Sequence, residues 1–258
     1  MKKRLGKLMP FVYLAVFLYS AFLLVQYFYT YYEASKSLEE TQSMYETALE
    51  NTEEQEGTGD ESKSDLLSTY TMRPQFKDLH AVNEEIVGWI TVDGTKLNNP
   101  ILQADNNEFY LNRNFKGESS RAGSVFMDYR NDVTDLGRNT ILYGHAMKND
   151  TMFGSLKKFA KQDYADEHSV IYVDTLYEGY DLEVFAAYET TTDFYYIETN
   201  FKSDDDFQHY INEVESRSMI EMSTEVEPDD QIVTLSTCDN ILDTTEKRFV
   251  VHGKLVKR

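Results

Sequence analysis

Eight short runs rich in β-branched and aromatic residues, each bounded by turn formers, constrain this chain more than anything else in it. They cover residues 86–92, 96–102, 123–127, 140–143, 170–173, 180–188, 231–235 and 248–255. Runs of this length and spacing predict an all-β barrel or sandwich. Asp93-Gly94 between the first two is a hairpin turn signal. Two helices are expected to interrupt the strands. Residues 151–161 carry Met152, Phe153, Leu156 and Phe159 at helical spacing. A second helix opens on Ser203-Asp204-Asp205-Asp206, a hydroxyl cap with first-turn acids that suit the helix dipole. It continues with Phe207, Tyr210, Ile211 and Val214 as one apolar stripe, read as core packing. Residues 66–87 predict one or two short helices interrupted by Pro74.

Before the strands lies a different kind of chain. Residues 8–30 contain no charged side chain, and as a helix they would span roughly 35 Å, enough to cross a bilayer core. Tyr27, Tyr29, Tyr31 and Tyr32 crowd the far end, where amphipathic rings favour the membrane interface. A cleaved signal peptide fits less well, because the run is long and no small-residue cleavage site follows it. Lys2, Lys3, Arg4 and Lys7 precede the run, which places the N-terminus inside and the remainder outside. Residues 33–65 are rich in Glu, Ser, Thr and Gln, and read as an acidic flexible stalk whose first half can be helical but which buries no core. The chain thus divides into a basic tip with a single anchor (1–32), a stalk (33–65) and an extracellular domain (66–258). A net charge of −20 argues against nucleic-acid binding. It fits a cationic partner or plain solubility equally well.

In an exported protein, cysteines mostly serve as disulfides, yet this one has a single cysteine, Cys238. Such a thiol is inert core filling or a chemical tool. The run that precedes Cys238 places it where a strand ends, and Arg248 opens the next run. Neighbouring strands would bring guanidinium and sulfur together. A cysteine nucleophile also needs a partner that manages protons and donors for an oxyanion. Among five histidines, His168 and His209 lie in charged surroundings and read as solvated. His80 falls in the N-terminal helical region, and His252 alternates within the last strand, buried or exposed. His145 follows a strand directly, with Gly144 before it allowing a sharp turn, so it can project into a cleft shared with another strand end. No metal-ligand spacing occurs, and no cofactor or metal is expected.

Thr234-Leu235-Ser236-Thr237-Cys238 with Arg248 ten residues on, and Tyr143-Gly144-His145 upstream, resemble the active-site signature of sortases, the Gram-positive cell-wall transpeptidases. Gly88-Trp89-Ile90, the stretch 121–131 and Tyr143-Gly144-His145-Ala146-Met147-Lys148-Asn149 are similar to class B in particular. So is the capped helix between Thr192 and Gln231. The resemblance runs from about Leu66 to the C-terminus. It implies a mainly β fold, a closed eight-stranded barrel with N-terminal helices and a long helix between strands six and seven.

It also implies roles. Cys238 would attack the carbonyl of a threonine in a sorting motif, His145 would act as general acid and base, and Arg248 would stabilise the oxyanion and the substrate. Asn107, Leu111, Thr192, Tyr196, Ile197, Ser236 and Asp239 match substrate-binding positions. The implied partners are exported proteins bearing a sorting motif, and a lipid-linked peptidoglycan precursor or wall-peptide amine. A pilus-assembling sortase using a pilin lysine, a simple cysteine protease and a non-catalytic membrane-anchored binding barrel are the alternatives.

Overall fold

The computed structural model describes residues 2–56, 71–191, 193–238 and 247–258. All eight predicted runs form strands: β1 (Ile86–Thr91), β2 (Asn98–Leu102), β3 (Val125–Met127), β4 (Asn139–His145), β5 (Val170–Thr175), β6 (Gly179–Thr190), β7 (Ile232–Cys238) and β8 (Arg248–Lys257). They close into a barrel, not a sandwich, in the order β1-β2-β3-β4-β7-β8-β6-β5, and β5 returns to pair with β1. Closure removes the free edges that an open sheet would expose. The β2–β3 and β4–β7 pairs are parallel, and the rest are antiparallel.

Two bulges decide which side chains fill the barrel. In β6, Leu182 and Val184 point inward, and past the irregularity between Val184 and Ala186 the inward position passes to Ala187. Phe185, Ala186 and Tyr188 then join a second cluster outside the barrel. In β1 the shift between Ile86 and Gly88 accompanies the same switch, with Val87 and Ile90 inside while Ile86 and Trp89 face out. An extra residue reverses the alternation of a strand, so each strand serves the interior at one end and an outer layer along its length.

Helices supply those outer layers. They are α1 (Lys2–Glu56), α2 (Lys77–Val82) and α4 (Asp204–Arg217), whereas α3 (Gln162–Glu167) packs Ala165 against the interior cluster. The helix between β6 and β7 is α4, and it forms as its sequence predicts. Ser203 Oγ accepts a hydrogen bond from the Asp206 backbone N–H, and Phe207, Tyr210, Ile211 and Val214 are all buried.

Three expectations need correction. The spacing in 151–161 produces a 3₁₀ helix, Gly154–Ala160, followed by α3. Phe153, Leu156 and Phe159 recur every third residue and are fully buried, which suits three residues per turn better than 3.6. Pro74 does not interrupt a helix but begins one, at the first position of the turn Pro74–Phe76 that leads into α2. The stalk reading also changes, because α1 continues to Glu56 and buries Thr41 and Tyr45. The Tyr45 ring stacks on Trp89 at 4.1 Å, and its hydroxyl donates to Asp174. A sparse set of apolar residues (Leu38, Met44, Tyr45, Leu49) therefore suffices to dock an otherwise polar helix. Nearer the N-terminus, α1 is long and apolar enough to cross a membrane.

Candidate active site

Three strand ends meet at one end of the barrel. β4 finishes at His145, β7 finishes at Cys238, and these two residues are register partners in the parallel β4–β7 pair. β8 begins at Arg248 and runs antiparallel to β7, with Ser236 opposite Val250. The pairing ends there, and Arg248, the first residue of β8, stands at the same end of the barrel at which Cys238 finishes β7. The central strand thus carries cysteine, with histidine on one neighbour and arginine on the other. Phe249 N–H donates to Thr237 Oγ1 at 2.8 Å and tightens the β7–β8 pairing beside Cys238.

His145 is buried, and its Nε2 lies 2.8 Å from the Leu111 carbonyl oxygen. Burial pushes its pKa below the ordinary value of 6.5, partly offset by that hydrogen bond. The sharp turn expected at Gly144 is absent, since β4 runs straight through to His145. Glycine is required there for another reason: a Cβ would sit 2.9 Å from the Phe153 ring. Beyond the strand, the backbone N–H groups of Met147 and Phe153 both donate to the His145 carbonyl, folding residues 146–153 back against it.

The expected substrate-binding positions divide into two groups. Asn107 and Leu111 lie in the connection from β2 to β3. Leu111 contributes the carbonyl that holds His145, and Gly123 lets it approach: with φ +59°, a Cβ there would stand 2.5 Å from the Leu111 oxygen. Asn107 uses both ends of its amide internally, donating to Asp128 and accepting from Tyr129 N–H. Tyr196 and Ile197 lie in the connection from β6 to α4. Tyr196 shares a hydrogen bond of 2.9 Å with Ser236, two residues before Cys238. Thr192 and Asp239 fall outside the described residues.

Several residues without a role in the sequence reading hold these elements together. Asp128 is fully buried, and its carboxylate accepts from Asn107, Tyr143 and Arg130. Burial alone would raise its pKa, but those hydrogen bonds outweigh it and hold the carboxyl below its ordinary value. Arg130 also donates to the Tyr195 hydroxyl and the Ile197 carbonyl. On the other side, Tyr210 donates to the Tyr196 carbonyl and Asn139 to the Glu198 carbonyl. His252, placed by its strand as either buried or exposed, is fully buried between Thr234 and Tyr188. The signal for Asp128 and Arg130 was their position, two charges immediately after an apolar strand.

A closed barrel with histidine, cysteine and arginine on adjacent strand ends defines a class, and the comparisons agree. The Sortase domain model matches residues 90–256, and the chain belongs to the sortase family. Within it, the chain is a class B sortase, a transpeptidase of that kind. It is 37% identical to "Sortase B" of Listeria monocytogenes over 257 residues, covering 100% of this chain and 99% of the relative. Among solved structures, the Staphylococcus aureus sortase B–substrate complex superposes with a TM-score of 0.78 at 39% identity, covering 87% of this chain and 97% of that one. Sortase B from Bacillus anthracis in complex with AAEK1 superposes at 0.76 with 49% identity, covering 90% and 100%.

Proposed function

We propose that this sortase is a membrane-anchored cysteine transpeptidase that cuts a C-terminal sorting motif after threonine and joins the acyl fragment to a cell-wall peptide amine. The observation that carries the reading is the register of His145 with Cys238 on parallel strand ends, with Arg248 opening the next strand. Supporting it, the S. aureus relative is known as a sortase B–substrate complex.

In the first half-reaction the Cys238 thiol passes its proton to His145 and the resulting thiolate attacks the threonine carbonyl carbon, while Arg248 donates charge-assisted hydrogen bonds to the developing oxyanion and the substrate backbone. The C–N bond breaks, the departing amine takes a proton from His145, and the acyl group remains as a thioester. An incoming amine then attacks the thioester and gives its proton to His145, and the thiolate is expelled. Thioesters react readily with amines, so ligation competes with hydrolysis. Asn107, Leu111, Thr192, Tyr196, Ile197, Ser236 and Asp239 form the peptide groove in this reading. The N-terminal helix spans the membrane with its basic tip inside, so the barrel meets exported proteins and a lipid-linked wall precursor at one surface. Tethering there raises effective concentration without a new contact.

The test uses the chain from Glu33 onward, which keeps the docked part of α1. It is incubated with a sorting-peptide library and candidate amines, and thioacyl adducts and ligated products are read by mass spectrometry. The wild type should give both, Cys238→Ala neither. A covalent peptide adduct on Cys238→Ala would sink the assignment. Use of a pilin-type lysine in preference to a wall-peptide amine would move the enzyme to pilus assembly.

A further inference from the structure

Asp128 and Arg130 stand just beyond the end of β3, yet their side chains join three separate parts of the chain. One Asp128 oxygen accepts from Asn107 Nδ2 and from the Tyr143 hydroxyl, each at 2.9 Å. That fixes the β2–β3 connection, which also supplies the Leu111 carbonyl, to the strand bearing His145. Arg130 grips both Asp128 oxygens through Nε and Nη2. Its remaining donors cross to the opposite connection, Nη1 to the Tyr195 hydroxyl at 2.9 Å and Nη2 to the Ile197 carbonyl at 3.0 Å. We propose that the Asp128–Arg130 pair is a clasp between the two walls of the peptide groove, setting their separation and so the affinity and selectivity for the sorting peptide. The proposal rests on the functional reading above.

The geometry favours positioning over generic stability. Asp128 is fully buried and its partner only partly exposed, and every donor of the shared network reaches a wall of the groove or the strand behind it. A planar guanidinium can hold a carboxylate with one edge while donating outward with another. Lysine keeps the charge but cannot fork in this way. Arg130→Lys is therefore the informative variant, because it spares Asp128 an unpaired burial. Tyr195→Phe complements it, since Tyr195 is 55% exposed and loses only the hydroxyl that Arg130 holds.

Steady-state transpeptidation by the chain from Glu33 onward separates the outcomes. Arg130→Lys should raise KM for the sorting peptide about tenfold and Tyr195→Phe about threefold, with kcat within about threefold and the amine KM unchanged. Folding is followed in parallel by circular dichroism. A folded Arg130→Lys with wild-type peptide KM, or a fall in kcat alone, overturns the clasp. Should Arg130→Lys fail to fold, Tyr195→Phe decides: a raised peptide KM supports the clasp and an unchanged one overturns it. A wild-type enzyme that turns over no sorting peptide overturns the functional reading, and the clasp with it.

Discussion

The Nε2 of His145 lies 2.8 Å from the carbonyl oxygen of Leu111. A carbonyl only accepts, so Nε2 carries the ring proton and Nδ1 holds the lone pair. One hydrogen bond therefore fixes the tautomer and names the nitrogen through which protons move. Burial holds the pKa below 6.5, so the ring is neutral at pH 7.

The tautomer is directly measurable. Ring ¹⁵N shifts of His145 at pH 7 should report a neutral imidazole protonated at Nε2, converting to imidazolium only below pH 6.5. A ring protonated at Nδ1 alone would contradict the hydrogen bond to Leu111, and a midpoint at or above the ordinary 6.5 would contradict the effect of burial.

Gly123 tests the same hydrogen bond from the other side. An alanine Cβ would stand 2.5 Å from the Leu111 oxygen and 2.7 Å from that of Tyr110, on a backbone with φ +59°. Both contacts are with backbone, so the Leu111 carbonyl must move. Gly123→Ala should cost about 1–3 kcal/mol of stability. A displacement near 1 Å at a proton-transferring group should lower kcat roughly a hundredfold. Wild-type kcat in a folded Gly123→Ala would show that the Leu111 carbonyl does not position His145.

The strands and the capped helix were legible because their signals are local, whereas closure into a barrel was implied only by the resemblance to sortases. Alternating β-branched runs, the Asp93-Gly94 turn and the Ser203 cap each depend on a few neighbouring residues. The three candidate catalytic residues were legible for the same reason, since each marks a strand end. What escaped depends on distant partners. Nothing near Gly144 in sequence announces the Phe153 ring above it, and nothing near Tyr45 announces Trp89. The Asp128–Arg130 network spans residues 107 to 197 and exists only once the barrel has closed.

His252 gives a prediction for stability against pH. Complete burial pushes its pKa down to about 3, and Thr234 and Tyr188 occupy its two nitrogens. Between pH 6.5 and about 3 the unfolded chain binds a proton there that the folded chain does not. Stability therefore falls as the pH falls, by about 1.4 kcal/mol per unit from this residue where the unfolded histidine is fully charged. His252→Gln cannot take up that proton. Urea unfolding should show a lower stability for His252→Gln at pH 7 but a shallower decline toward pH 4. Equal slopes for the two proteins would mean that His252 titrates normally in the fold.

Tyr45 carries the last prediction, because it asks whether α1 is a spacer or part of the folded domain. Its ring is 5% exposed, stacks on Trp89 at 4.1 Å and packs against Phe76, while its hydroxyl donates to an Asp174 that Arg73 and Arg258 also hold. Truncating a buried aromatic typically costs about 3–5 kcal/mol, and this one also leaves Asp174 with one donor fewer. In the chain from Glu33 onward, Tyr45→Ala should unfold at lower urea concentration by an amount in that range. A chain beginning at Leu66 lacks Tyr45 altogether, and should show a similar loss. Trp89 fluorescence reports the same event, since losing the stacked ring opens the indole to water. If Tyr45→Ala and the shorter chain both match the parent in stability and emission, α1 does not dock on the barrel in solution, and residues 33–56 revert to a spacer between membrane and domain.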